Sequence, residues 1–398
     1  MTTLLGLPSL KVPEVSEARR RAAIDKFWAD AAKVDRGHGE GEDGDITAQR
    51  HCDRLGVHRI CGEGEQGVTS VGLLELTEAS WRKTCHKRKD EWPPTRTIEN
   101  RVSRPGQLLH TVTAAPGSHY FEPGFKRHMS VGRLASLFGL RPTNRIAKAM
   151  AKWEQCRADR EARKVARKSG KRKDKMPLKK ITKVKLRRML GGAIHIPTGS
   201  CAARAMVRGM GWVAGESLRW ADMGSGVGAT AAAVQQVVGQ TQFQYVVAAE
   251  RDADASTILR EAWGLAVDNV GEAVGAPWVQ YAGQVDAVGL TADCGPLSRR
   301  ARRKGSDRDG RTAKALTEFR GMAKGAEAMQ PQAVLVESVS DLLCGERVED
   351  GERIMEILRE VMPEMEWRAQ VLDAHRHGAA AMARERAFIV GVRGGWAN

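Results

Sequence analysis

The stretch RWADMGSGVGATAAAVQQVVG, from Arg219 to Gly239, decides how the chain is read, because it carries three local instructions in succession. RWADM is a short apolar run suited to a buried strand. Gly224, Gly226 and Gly228 then turn the chain, and ATAAAVQQVVG follows as a helix with an alanine-rich packing face. Glycines at such a turn allow close approach of the backbone to a ligand and a tight strand-to-helix reversal. A structural turn and a nucleotide-binding turn share this pattern, so the neighbouring sequence has to separate them.

Downstream, the alternation continues. QYVVAAERD (244–252) reads as a second strand ending in acids, and DASTILREAWG (254–264) as a second helix. VDAVGLTA (285–292), QAVLVES (332–338) and RAFIVGVR (386–393) read as further strands. Strands alternating with helices predict an α/β fold built on a doubly wound, Rossmann-type parallel sheet. Glu250 falls about 20 residues beyond the glycine turn, where a carboxylate at the end of the neighbouring strand accepts hydrogen bonds from both hydroxyls of a ribose. The turn has no G-K-[ST] sequence, which disfavours a P-loop and ATP hydrolysis.

The chain has 398 residues, enough for two or three domains, and a formal charge of +16. Such a charge favours a polyanionic partner, with nucleic acid ahead of an anionic membrane surface. Seven cysteines without tight pairing and no apolar leader predict a reducing, intracellular setting, in the nucleus or the cytoplasm according to the host. No apolar run approaches the roughly 20 residues needed to span a bilayer, so no membrane partner is expected. Cys52, His58, Cys61, Cys85 and His86 do not follow a standard zinc spacing, and no metal is expected. Between residues 151 and 188 there are 17 Lys/Arg against four Asp/Glu, the composition of an exposed basic linker suited to tethering nucleic acid. Residues 1–105 carry no pattern that assigns a fold.

Four features fall at strand ends in a fixed order: the glycine turn, Cys294 in TADCGPLS, Glu337 in PQAVLVESV, and Arg384 with Arg386 in MARER. In this order the chain resembles the DNA (cytosine-5) methyltransferase family. Asp222-MGSGVGA is similar to that family's D-L-F-x-G-x-G-G motif, with Glu250 as its second acid. Asp286 to Ser298 fits D-L-L-x-G-G-P-P-C-Q-x-F-S without a gap, Pro331 to Val339 fits P-K-x-x-x-x-E-N-V, and MARER fits Q-x-R-x-R. Two motifs that the family carries at its C-terminus have their likenesses upstream here, in LLHTVTAAPG with FKRHMSVGRLASLFGL, and in LGGAIHIPTGSCAARAM. The resemblance therefore implies a circular permutation, the ninth and tenth motifs preceding the first to the eighth.

What the resemblance implies is specific. The fold is a Rossmann-like, S-adenosylmethionine-dependent methyltransferase sheet over residues 211–398, preceded by the permuted segment 106–210 and a smaller, irregular target-recognition region over 1–105. Asp222, Met223, Gly224, Ser225, Gly226, Val227, Gly228, Glu250 and Arg251 hold the cofactor. Cys294 is a thiolate that adds to carbon 6 of a flipped-out cytosine. Glu337 holds ring nitrogen N3 and the exocyclic amine; Arg384 or Arg386 supports the thiolate, and Arg386 is the closer match to the residue that contacts the base. Ser298, Arg299, Arg300, Arg302, Arg303 and Lys304 lie in a loop that contacts phosphates. The partner is DNA, with RNA as the alternative, and the expected state is a monomer. Asp293, Gly295 and Ser338 depart from the family's residues and keep open a second reading, a nucleic-acid-binding protein of the same fold with weakened catalysis. Asp293 is the sharpest departure, because a carboxylate beside a thiol opposes thiolate formation.

Overall fold

A computed structural model describes residues 6–37, 131–153, 181–264, 267–293, 308–344 and 348–397, together with 73–76, 102–103, Leu109, 119–122, 127–128 and Leu297. The N-terminal part contributes helix α1 (Glu17–Gly37) and strands β1 (Leu73–Leu76), β2 (Val102–Ser103), β3 (His119–Glu122) and β4 (Arg127–His128). These strands form an antiparallel sheet in the order β2-β1-β3-β4. The boundary expected at residue 105 therefore runs through one sheet. Helices α2 (Val131–Leu137), α3 (145–153), α4 (Lys183–Gly192) and α5 (Ile196–Gly209) follow. The basic stretch expected as a linker over 151–188 begins inside α3 and ends inside α4; its middle lies outside the described residues.

From residue 218 the chain alternates as the sequence predicts: β5 (Leu218–Met223), α6 (Ala229–Val238), β6 (Phe243–Ala249), α7 (Ala253–Trp263), β7 (Asp268–Asn269) and β8 (Ala287–Leu290). There follow α8 (Arg308–Ala328), β9 (Ala333–Val339), α9 (Asp341–Cys344), α10 (Val348–Val361), β10 (Met365–Asp373), α11 (Ala374–Gly378) and β11 (Glu385–Arg393). The seven strands make one sheet in the order β10-β11-β9-β8-β5-β6-β7. It is a Rossmann-like sheet with one departure from the all-parallel expectation. β11 runs antiparallel to both β9 and β10, so the sheet is mixed. The departure follows from the connections: β10 and β11 are joined by a short segment around α11, too short for a right-handed parallel crossover.

The order of strands places the site. From β5 the chain steps outward through β6 to β7, then returns to lay β8 on the other side of β5. Open α/β sheets bind ligands at such a reversal, outside the carboxyl ends of the strands. The glycine turn after β5 and the segment after β8 therefore face one crevice.

Each face of the sheet is covered. Trp220, Tyr245 and Phe388 belong to a core shared with α2, α3, α4, α5 and α6, while Met223, Val247, Val288 and Val336 pack against α8 and α10. The first core also takes in Leu10, Val12, Ile24, Phe27 and Leu109, so the N-terminal residues are built into the same hydrophobic interior. Residues 8–15 lie along the edge strand β10. Ala369 donates to the Pro8 carbonyl at 2.8 Å, and the Gln370 amide accepts from the Val12 N–H at 2.9 Å and donates to its carbonyl at 3.1 Å. An exposed sheet edge is thereby closed.

Candidate active site

The first corner of the crevice is the turn after β5. Gly224 has φ +76°, and a Cβ there would overlap the Thr291 carbonyl, so only glycine fits between the ends of β5 and β8. Thr291 Oγ1 fastens the same junction by donating to the Gly224 carbonyl at 2.7 Å. Gly226 is different: its φ is +56°, yet a Cβ would meet nothing within 4 Å. Its bare backbone borders open space, and its N–H donates to Glu250 Oε2 at 2.7 Å. The other carboxylate oxygen, Oε1, accepts from the Asp252 N–H at 2.6 Å. Burial raises the Glu250 pKa, and these two N–H donors oppose the rise. An open glycine turn with an acid at its rim fits the ribose and amino-acid portions of a nucleoside cofactor.

The remaining residues expected at this corner divide. The Asp222 side chain is fully buried, its Oδ2 accepting from the Tyr245 hydroxyl at 3.4 Å, and burial raises its pKa to about 8. Met223 and Val227 are buried in the core, so only their backbone atoms border the turn. Ser225 is buried, its hydroxyl donating to the Asp222 carbonyl at 2.8 Å. Gly228 has φ +80° and stands at the start of α6, with Trp263 directly against it. Arg251 points outward to Glu272 and Glu318 at 3.6 and 4.0 Å.

The second corner is formed by β9 and β11. Glu337 pairs across the ladder with Phe388, and the Arg386 Nε lies 2.9 Å from Glu337 Oε1. The carboxylate is almost wholly buried and the guanidinium largely so. Burial raises the Glu337 pKa, opposed first by Arg386 and then by Arg384. Burial favours the protonated form of such a carboxyl group and the arginine the charged one, and the two forms serve a heterocyclic base as donor and acceptor.

Arg384 occupies a different position from its neighbour. Expected as a catalytic residue able to support the thiolate, its side chain is 1% exposed, and its guanidinium donates to the carbonyls of Gly191 and Ala193 at 3.0 and 2.7 Å. It also lies 5.1 Å from the centre of the Phe138 ring. His195 is buried close by, with its pKa lowered to about 3 by burial and by Arg384, so its ring is neutral.

Cys294 and Gly295 lie outside the described residues, as do Ser298, Arg299, Arg300, Arg302, Arg303 and Lys304. Asp293 is described and exposed, so water screens much of its influence on the next residue. Ser338 is buried. Cys52, His58, Cys61, Cys85 and His86 also fall outside; among the described residues, no group of His, Cys, Asp or Glu is arranged for a metal. No described helix is long and apolar enough to cross a membrane.

Sequence reading missed two residues that build the first corner. Asn269 Oδ1 accepts from the Glu250 and Gly271 N–H groups at 3.1 and 3.0 Å, while Nδ2 donates to Ser256 Oγ at 2.7 Å. It fixes the peptide that carries Glu250. Asp268, the acid next to it, instead accepts from the Tyr281 hydroxyl. Thr291 is the second. Its signal was an isolated hydroxyl directly after an apolar strand, three residues before Cys294.

Residues 218–397 match the model of the C-5 cytosine-specific DNA methylase family. Similar solved structures include the Dnmt2 methyltransferase of S. pombe, with 14% identity over 44% of this chain and 51% of that one, at a TM-score of 0.32. A Spodoptera frugiperda DNMT2 variant has 14% identity, 45% and 50% coverage, and a TM-score of 0.31. The Entamoeba histolytica methyltransferase EhMeth has 12% identity, 44% and 53% coverage, and a TM-score of 0.33. The chain thus spans about half the length of the solved structures it matches. No curated protein matches it.

Proposed function

We propose that this chain transfers a methyl group from S-adenosylmethionine to carbon 5 of cytosine in DNA, through a covalent intermediate on Cys294. The observation that carries the reading is the buried Glu337–Arg386 pair, at the same end of the sheet as an open glycine turn rimmed by Glu250, in the segment that matches the methylase family. In this reading Gly224, Gly226 and Glu250 border the cofactor, which when bound supplies an electrophilic methyl group on a sulfonium.

The protein's own residues do the rest. Carbon 5 of cytosine is a poor nucleophile while the ring is aromatic. Addition of the Cys294 thiolate to carbon 6 breaks the ring's conjugation and places electron density on carbon 5. Glu337, held by Arg386, binds N3 and the exocyclic amine, and a proton shared at N3 offsets the charge that thiolate addition creates. After methylation, solvent takes the carbon 5 proton as the thiolate leaves carbon 6 and Glu337 recovers the proton shared at N3, which restores the aromatic ring. These atoms are inaccessible in a stacked duplex, so the base must be flipped out, which costs a few kcal/mol. The cations from Arg299 to Lys304 and those of the 151–188 stretch are suited to the phosphates around the gap. The permuted motif order belongs to the same proposal. It is supported by α5, whose sequence resembles the tenth motif and which packs on α6 directly before the chain enters β5.

Methyl transfer from labelled S-adenosylmethionine to unmethylated duplex DNA and to RNA tests the reading, with Cys294→Ser alongside. Label in DNA, lost in Cys294→Ser, is the expected result. Label in RNA alone would move the substrate, and no transfer to either with salt-sensitive DNA binding retained would leave a binding protein. Trapping on duplexes containing 5-fluorocytosine tests the covalent step. An adduct that survives Cys294→Ser would remove that cysteine from its role.

A further inference from the structure

We propose that α4 is a strut joining the two corners of the crevice, and that Arg384 is a positioning residue that acts through it on cofactor binding. The inference rests on the cofactor reading above for the identity of the ligand, and on the following contacts for the strut itself.

At its C-terminal end α4 leaves backbone carbonyls without helical partners, as every helix does. Two carbonyls there, those of Gly191 and Ala193, accept from the Arg384 guanidinium at 3.0 and 2.7 Å. A buried cation at this place also complements the negative end of the helix dipole. Arg384 is itself fixed to the base corner. Its N–H donates to Asp373 Oδ2 at 3.0 Å, its carbonyl accepts from the Ala374 N–H at 2.9 Å, and it stands two residues before Arg386.

At the other end of α4, Lys185 Nζ forms an ion pair with Asp254 Oδ2 in the first turn of α7. The Asp254 N–H donates to Asp252 Oδ1 at 2.9 Å, and the Asp252 N–H donates to Glu250 Oε1 at 2.6 Å. Two hydrogen bonds thus separate the Lys185 end of the helix from the carboxylate at the cofactor rim. Between these ends, Leu186 and Leu190 seat α4 in the core, and the span from Lys185 to Gly191 is about 9 Å at 1.5 Å per residue. A straight helix of this length, pinned at both ends and packed between them, transmits a shift at one end to the other. Both bonds leave a single nitrogen, Nη2, at the far end of the guanidinium; a lysine ammonium stands closer to its own backbone and loses that reach, so the Gly191–Ala193 turn loses its double attachment.

The test is binding of S-adenosylhomocysteine without nucleic acid, by titration calorimetry, to the full chain and three variants. Arg384→Lys, although remote from Glu250, weakens binding about tenfold and raises KM for S-adenosylmethionine more than it lowers kcat. Lys185→Gln, a half-exposed side chain whose loss leaves the core intact, shifts affinity in the same direction by about threefold. Arg386→Lys, two residues from Arg384, lowers kcat and leaves affinity within twofold. Wild-type affinity in both Arg384→Lys and Lys185→Gln, or equal weakening in Arg386→Lys, would overturn the strut. If the wild-type protein binds no S-adenosylhomocysteine, the cofactor reading falls by itself. The strut is then judged by hydrogen exchange at the Asp254 and Ala255 amides. Arg384→Lys accelerates that exchange if α4 couples the corners, and unchanged exchange overturns the proposal.

Discussion

The two corners of the crevice each hold a carboxylate at a strand end, by opposite means. Glu250 is held by backbone N–H groups of Gly226 and Asp252, which no side-chain substitution nearby removes. Glu337 is held by a single guanidinium, that of Arg386, in a largely water-free place. A backbone-held acid keeps its donors whatever side chains stand beside it, and is moved only by a shift of the main chain such as α4 would transmit, which suits recognition of neutral hydroxyls. A guanidinium-held acid depends on one partner, and its proton affinity moves with that partner, which suits a residue that must change its protonation during a reaction.

Removing that partner gives the largest effect. Arg386→Ala leaves Glu337 buried with only Arg384 to favour its charge, so the chain loses about 3 kcal/mol of stability in denaturant titration and methyl transfer drops at least a hundredfold. Glu337→Gln comes next. It keeps the shape but cannot hold the proton at N3, and kcat falls about a hundredfold while S-adenosylhomocysteine affinity stays at the wild-type value. If the two variants lost the same stability, the contrast between the corners would fail, because the cation that glutamine leaves unpaired, Arg386, keeps more of its water than the carboxylate does. At the other corner, Glu250→Gln leaves kcat at saturation largely intact and weakens S-adenosylhomocysteine binding about tenfold in calorimetry, since one acceptor oxygen becomes a donor.

How far the sequence revealed these corners depends on what holds each one. β5, β6, β8, β9 and β11 were readable because strands buried on both faces are written as continuous apolar runs, and glycines punctuate them. β10, MEWRAQVLD, was missed. It is an edge strand with one half-exposed face, and its charged residues interrupt the run. β7 has two residues and no pattern to find. Glu337 and Arg386 were legible as a spaced pair, and Glu250 as an acid at a fixed distance from the turn. The destination of Arg384 was not, because its partners are carbonyl groups 191 and 193 residues away and every residue type carries a carbonyl. The same reason hid Asn269, whose work is done on main-chain atoms. Of the two arginines in MARER, Arg386 was the closer match for the base contact, and the register of β11 against β9 brings it to Glu337.

A third acid, Asp222, sharpens the comparison with the smallest effect, because it is held by neither device. Its carboxyl is fully buried behind the turn and faces Tyr245, Glu250 adds to the rise of its pKa, and among the described residues no cation is paired with it. Burial therefore raises its pKa from 3.8 to about 8. The folded chain keeps a proton there that the unfolded chain has released, so this group's contribution to stability falls as pH rises from about 4 to about 8 and is level beyond. Asp222→Asn supplies a permanently neutral side chain of the same shape. In thermal unfolding it should match the wild type near pH 4 and exceed its Tm by a few degrees near pH 8. Parallel Tm curves for the two proteins across that range would mean that Asp222 has a partner that answers its charge, as Glu337 has Arg386, and that burial alone does not set it apart.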